Sequence, residues 1–258
     1  MNPTDDNPPA APGVLVVTGA SRGIGAACAR LGAAAGYKVI VNYATNRAAA
    51  LGVVADIERA GGHAVAVGAD VSQFRGVEHL FAETDRCFGR ITALINNAGI
   101  VGAVVPLEEH TEHTLETLFR TNVYACIHAS SAAIRRMSPR HGGSGGVIVN
   151  ISSAAARLGG LPRTVVYAAT KGAIDSFTIG LAKELGAEGI RVVGIRPGMI
   201  DTDILEAVGG AETRRQVAPT IPLGRLGRAE EIGRAAIWLL GPEASYVHGT
   251  TIDVSGGR

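Results

Sequence analysis

Near the start of this chain a strand buried on both faces leads straight into a glycine turn and a helix, and few folds accommodate that order. Val14 to Val17 is a short apolar run with no alternation, the pattern of a strand covered on both sides in a parallel sheet. Thr18-Gly19-Ala20-Ser21-Arg22-Gly23-Ile24-Gly25 follows, then an alanine-rich helical pattern to about Ala35, with Gly36 ending it. Glycines at such a turn let the backbone come close to a pyrophosphate, and the helix start directs its free N–H groups at it. The spacing is Gly-x-x-x-Gly-x-Gly rather than G-x-G-x-x-G, and a glycine turn without a ligand is the competing reading. Its position between a buried strand and a helix favours a dinucleotide. The candidate contacts are Gly19, Ser21, Arg22, Gly23, Ile24 and Gly25.

The alternation continues. Lys38 to Tyr43, His63 to Gly68, Thr92 to Ile95, Val147 to Ile151, Ile190 to Ile195 and Gly249 to Val254 read as further strands. Helical patterns lie between them: to about Ala60, from Ser72 through Phe88, from Pro106 to about Met137 (continuous or broken), around Tyr167 to Leu185, and over Ala229 to Leu240. This predicts an α/β fold, a single-domain Rossmann-type doubly wound parallel sheet of about seven strands with helices on both faces. With 258 residues, one domain over 13–258 is expected, since α/β units of about 200–250 residues form single domains. Residues 1–12 carry four prolines and two aspartates, with neither the basic start nor the apolar centre of a signal peptide; they are expected to be a disordered tail. Asp201 to about Leu226 shows little periodicity and reads as an irregular substrate lid, 201–226.

Several partner classes are disfavoured. The formal net charge of +1 gives no electrostatic case for nucleic acid or an anionic membrane, and no stretch is long and apolar enough to span a bilayer. Cys28, Cys87 and Cys126 are sparse, with no CxxC, which fits a reducing, cytoplasmic location. Cys28 and Cys126 sit among apolar residues and read as buried small hydrophobes. His110 and His113 lack a third ligand of suitable spacing, so no metal site is expected. Arg135 to His141 reads as a solvated helix end.

Residues at the ends of the strands carry the chemistry. A dinucleotide site usually has an acid at the end of the second strand to bind the ribose 2′-hydroxyl. Here Asn42 and Tyr43 stand there, the next acid is Asp56, and Arg22 and Arg47 lie nearby. A missing carboxylate and two guanidinium groups favour a 2′-phosphate, hence NADP(H). Asp70, beside Val71, is a candidate for the adenine amino group or for a helix cap. Asn96-Asn97-Ala98-Gly99 closes the fourth strand, where ligands of open α/β sheets bind. Tyr167 and Lys171, four apart, share a helix face. An ammonium near a phenol stabilises the phenolate and fits the pair for acid/base work on an oxygen.

Together these motifs resemble the short-chain dehydrogenases/reductases, in particular the 3-oxoacyl-reductase-like and glucose-dehydrogenase-like members, over roughly residues 13 to 258. The motifs are Thr18 to Gly25, Asp70-Val71, Asn96 to Gly99, Tyr167-x-x-x-Lys171, and Pro197-Gly198 with Thr202. The resemblance implies an NADP(H)-dependent oxidoreductase that interconverts a carbonyl and a secondary alcohol. It places Gly19, Gly23 and Gly25 under the pyrophosphate, Asp70 and Val71 at the adenine, and Asn97, Ala98 and Gly99 by the cofactor. Pro197, Gly198, Ile200 and Thr202 fall at the nicotinamide end. Asn122, a serine, Tyr167 and Lys171 form the implied catalytic set, with Asn122 holding a water that relays protons to Lys171. Relatives place the serine thirteen residues before the tyrosine; here Ser153 is fourteen before and Ser152 fifteen. The local pattern favours Ser153, with one extra residue near Gly159 to Val165, and Ser152 is the alternative, as a turn-stabilising hydroxyl. The substrate is a 3-oxoacyl thioester or a sugar or simple alcohol, and a homotetramer or homodimer is expected.

Overall fold

The computed structural model describes residues 13–258; the tail expected over residues 1–12 lies outside them. Seven parallel strands form one sheet in the order β3-β2-β1-β4-β5-β6-β7. They are β1 (Val14–Val17), β2 (Lys38–Tyr43), β3 (His63–Gly68), β4 (Ile91–Asn96), β5 (Gly146–Ile151), β6 (Ile190–Pro197) and β7 (Thr251–Val254). The order reverses between β1 and β4. That switch opens a crevice beyond the carboxyl ends of the strands, where ligands of open α/β sheets bind.

Successive strand residues point to opposite faces, so an unbroken apolar strand feeds two cores. Leu15 and Val17 pack on one side with α1 (Gly23–Ala34), α2 (Arg47–Arg59) and α9 (Ala229–Leu240). Val16 packs on the other with α3 (Phe74–Phe88), α5 (Ala125–Met137) and α7 (Val165–Leu185). Cys28 and Cys126 are buried, and burial pushes both thiols up to about 12. The apolar stripe of α7 is absorbed by its own sheet: Ile174, Leu181 and Leu185 are buried, and Phe177 packs at the edge of that core.

One long segment is broken and another departs from the sequence reading. The stretch from Pro106 to Met137, read as a helix either continuous or broken, is a short 3-10 turn (Leu107–Glu109), α4 (Glu112–Phe119), a π-turn (Arg120–Tyr124) and α5. The π-turn carries the buried Asn122, and single π-turns inside helices recur at functional sites. The segment expected to be irregular, 201–226, holds a 3-10 turn (Asp203–Val208) and the helix α8 (Gly210–Val217). α8 buries only Gly210 and Val217, so it has no apolar stripe to betray it. Ion pairs anchor it instead, with Arg214 reaching Asp201 at 2.8 Å and Glu206 at 2.7 Å.

Among the described residues, no helix is long and apolar enough to cross a membrane, and no cluster of three or more His, Cys, Asp or Glu could hold a metal.

Candidate active site

The glycine loop is built for a close ligand. Gly19 and Gly23 both have left-handed backbone, with φ of 61° and 54°, which favours glycine. A Cβ at Gly25 would sit 2.5 Å from Asn97 Nδ2 and against the Gly19 carbonyl. Asn97 donates from Nδ2 to the carbonyls of Thr18 and Gly19 at 2.9 and 3.0 Å. The buried Thr18 hydroxyl accepts from the backbone N–H groups of Asn97 and Ala98 at 3.0 and 3.1 Å. The loop is thereby tied to the end of β4. No side chain caps the start of α1, so its first N–H groups face the crevice as an anion-binding end. This cradle fits a dinucleotide pyrophosphate.

The side chain of Asn42 serves the scaffold. It is 1 % exposed. Its Oδ1 accepts from Gly19 N–H at 3.2 Å, and its Nδ2 donates to the Val67 and Ala69 carbonyls at 3.3 and 3.0 Å. A carboxylate here would lose those donors, so the same amide that removes the acid also holds the loop. Tyr43 is half-buried and packs on Gly68. Arg22 and Arg47 are exposed, and Arg22 lies 3.7 Å from Asp203 at the start of 201–226. Val71 is buried in the second core, and the Asp70 carboxylate accepts from Ser72 N–H at 3.0 Å, stabilising a turn before α3 rather than capping it.

The four residues of the implied catalytic set converge at the carboxyl ends of β4 and β5. Lys171 is buried, and its Nζ donates to the Ile151 carbonyl at 2.9 Å, joining α7 to β5. Burial pulls its pKa down to about 8. Asn122 accepts from Ile100 N–H and donates to the Ile100 carbonyl, both at 2.9 Å, and donates to Thr170 Oγ1 at 3.0 Å. Thr170 in turn donates to the Tyr167 carbonyl at 2.7 Å. The π-turn, the loop after β4 and the tyrosine's own helix are thus linked.

The two serines separate by what their hydroxyls do. Ser152 is buried and donates to the Lys171 carbonyl at 3.1 Å. Ser153 is half-buried, accepts from Ala155 N–H at 3.1 Å, and stands beside the Tyr167 phenol. Its hydroxyl lines the cavity. Burial pushes the phenol above its usual 10, and the Ser153 hydrogen bond opposes that. The expectation that Lys171 would depress the phenol is therefore corrected: Nζ lies 5.8 Å from the ring centroid, and desolvation dominates.

The loop just before Tyr167 uses three left-handed residues, Gly159, Gly160 and Arg163, the last unusual for a side-chain-bearing residue. It forms one wall of a cavity of about 170 Å³ that contains Ser153, Tyr167 and Lys171. Ile24, Asn97, Gly99, Pro197, Gly198, Ile200 and Thr202 reach the same cavity. The sequence reading missed Thr18 and Thr170, whose roles rest on hydrogen bonds across distant segments. It also missed Arg258, which lines the cavity and follows two glycines with no motif to mark it.

A family model described as enoyl-(acyl carrier protein) reductase matches residues 19–258. An uncharacterized oxidoreductase, YgfF, from Escherichia coli K12 is 45% identical over 95% of this chain and 99% of its own length. A 3-oxoacyl-[acyl-carrier-protein] reductase from Synechocystis sp. is 38% identical over 95% of this chain and 96% of its own. The crystal structure of a short chain dehydrogenase from Burkholderia cenocepacia J2315 in complex with NADP superposes with a TM-score of 0.88, at 34% identity, over 95% of this chain and 97% of that one. With the fold, the glycine cradle and these relatives in agreement, the chain belongs to the short-chain dehydrogenase/reductase family of nicotinamide-dependent oxidoreductases.

Proposed function

We propose that the protein interconverts a carbonyl and a secondary alcohol with NADP(H), with Tyr167 as the acid/base. The carrying observation is the division of labour around the phenol. Asn122 and Ser152 are tied to neighbouring segments, Lys171 holds the Ile151 carbonyl while reaching the cavity, and Tyr167 and Ser153 line that cavity side by side.

The cradle residues Gly19, Ser21, Gly23, Ile24 and Gly25 would hold the pyrophosphate, with Arg22 at the ribose 2′-phosphate and Asp70 and Val71 at the adenine. Asn97, Ala98, Gly99, Pro197, Gly198, Ile200 and Thr202 would surround the nicotinamide end. Bound there, the nicotinamide supplies or accepts the hydride. The protein's own part is to manage charge and a proton on the substrate oxygen. A phenol held above its usual pKa is protonated at neutral pH and ready to donate to an oxygen gaining negative charge. Ser153 donates a hydrogen bond to that oxygen. The buried Lys171 holds the Ile151 carbonyl and so keeps the phenol's helix against the cavity. In alcohol oxidation the phenolate takes the proton instead.

NADP(H) over NAD(H) rests on the absence of an acid at the end of β2 and on Arg22 and Arg47, exposed beside the cradle; the Burkholderia neighbour solved with NADP is consistent with it. The cavity wall includes Val101, Leu158, Leu161, Met199, Leu205 and Val208. That lining favours a carbonyl compound with an apolar body, such as a 3-oxoacyl substrate, over a sugar or simple alcohol. The segment 201–226 supplies part of this wall and serves as the lid. For assembly, the exposed Tyr124 on the π-turn, Ile127 on α5 and Val165 and Ile179 on α7 offer surfaces for a homodimer or homotetramer.

A panel of aliphatic ketones, 3-oxoesters and sugars, assayed by nicotinamide absorbance in both directions, tests this reading. Turnover of apolar-bodied carbonyls that requires NADPH is expected. No turnover of any member, or a preference for NADH, contradicts it.

A further inference from the structure

Arg258 and Lys171 are the cations of the cavity wall, and Lys171 is taken up by the Ile151 carbonyl. Leu158, Leu161, Met199 and Ile204 add apolar surface to the same wall. Among the described residues the Arg258 guanidinium has neither a hydrogen-bond acceptor nor an acid within salt-bridge distance, and its Nη1 is closed off from solvent. A buried donor without a partner is costly, and native structures rarely keep one without a use. The acid nearest in the chain, Asp253, is already shared by Arg157 and Arg196, each at 3.8 Å.

The residue is also held in place. Ser255 Oγ and Arg157 Nη2 donate to its carbonyl at 2.8 and 3.2 Å. Gly256 and Gly257 turn the chain through left-handed backbone, where a Cβ would meet Ile221 and Pro222 at 2.9 Å. Leu223 N–H donates to the Gly256 carbonyl at 3.1 Å, which joins this turn to the end of the lid segment. A cation whose backbone is tied down at the rim of a largely apolar pocket matches the usual anatomy of a ligand site, in which a few placed polar groups set orientation.

We infer that Arg258 receives an anionic group of the substrate, a carboxylate, so that the enzyme acts on oxo acids with an apolar body. This rests on the carbonyl-reductase reading and adds the substrate's charge. A planar guanidinium pairs with a carboxylate through two parallel N–H···O bonds, and the partner it lacks among the described residues is supplied by the substrate.

The test uses matched pairs of oxo acids and their methyl esters, with NADPH, on wild type, Arg258→Met and Arg258→Lys. Wild type is expected to favour the acid in kcat/KM by about tenfold or more, the scale of a charge-assisted hydrogen bond. Arg258→Met is expected to collapse the acid-to-ester ratio toward about one, mainly through KM, and Arg258→Lys to recover part of it. Ester preference in wild type, or a ratio unmoved by Arg258→Met, overturns the inference while leaving the reductase reading intact. If neither member of any pair turns over, the reductase reading fails and the anion site is decided by melting temperature with NADPH present. A rise with the acids that Arg258→Met abolishes then supports the site, and no rise overturns it.

Discussion

Lys171 donates from its ammonium to the backbone carbonyl of Ile151 at 2.9 Å, so the helix that carries Tyr167 is pinned to the end of β5 beside the cavity. The contact keeps a cation in a buried place, where its pKa falls from the usual 10.5 to about 8. Between those values the unfolded chain holds a proton that the folded chain has released. Stability therefore rises with pH across that window, and below it the full cost of the buried charge is present. Relative to Lys171→Met, wild type is expected to gain on the order of 3 kcal/mol between the two limits. Urea unfolding of both proteins at a series of pH values checks this, and a difference that does not change with pH contradicts it.

The two serines are expected to divide cleanly. Ser153→Ala removes a donor aimed at the substrate oxygen, so kcat is expected to fall by about 10²–10³-fold with little change in melting temperature. Ser152→Ala removes a buried bond to the Lys171 carbonyl and is expected to cost about 1 kcal/mol of stability. Its turnover is expected to stay well above that of Ser153→Ala. Steady-state kinetics beside thermal melts separates the two, and the reverse pattern would assign the catalytic role to Ser152.

How far such roles were visible beforehand depends on how local they are. The strands were legible because an apolar run such as Val14–Val17 has one physical reading in an α/β chain. The glycine cradle and the Tyr167-Lys171 pair were legible because each lies within a few residues of sequence. α8 was not, since it is anchored by Arg214 ion pairs rather than an apolar face. Asn42 illustrates a half-reading: the missing acid was visible, but the bonds to Gly19, Val67 and Ala69 that occupy its amide join three segments. The π-turn at Asn122 and the orphan donor on Arg258 likewise exist only once distant parts of the chain meet.

Asn122 is expected to matter for stability as well as turnover. Its side chain satisfies both the N–H and the carbonyl of Ile100 and reaches Thr170. Asn122→Leu leaves those groups unpaired at about 1–3 kcal/mol each. A melting temperature lower by about 4–24 °C is expected from calorimetry, at about 2–4 °C per kcal/mol for a chain of this size. A melt unchanged from wild type would show that the amide holds nothing essential.

Arg22 is expected to set cofactor choice. It is exposed beside the cradle, and within the described residues its ion-pair partner is Asp203 at 3.7 Å. Arg22→Ala is expected to weaken NADPH binding by about tenfold while NADH changes by no more than about twofold, as for loss of one charge-assisted phosphate contact. Fluorescence titration of both cofactors measures the two constants. Equal losses for NADPH and NADH would place Arg22 at a feature both share, and not at the 2′-phosphate.

The central claim is that the Tyr167 phenol handles the proton, and Tyr167→Phe tests it by removing one oxygen while keeping the ring. The measurement is NADPH-dependent turnover of a carbonyl substrate beside NADPH affinity in the same variant. Turnover is expected to fall by about 10²–10⁴-fold with NADPH affinity held within about twofold. Turnover close to wild type, with the phenol gone, would contradict the account.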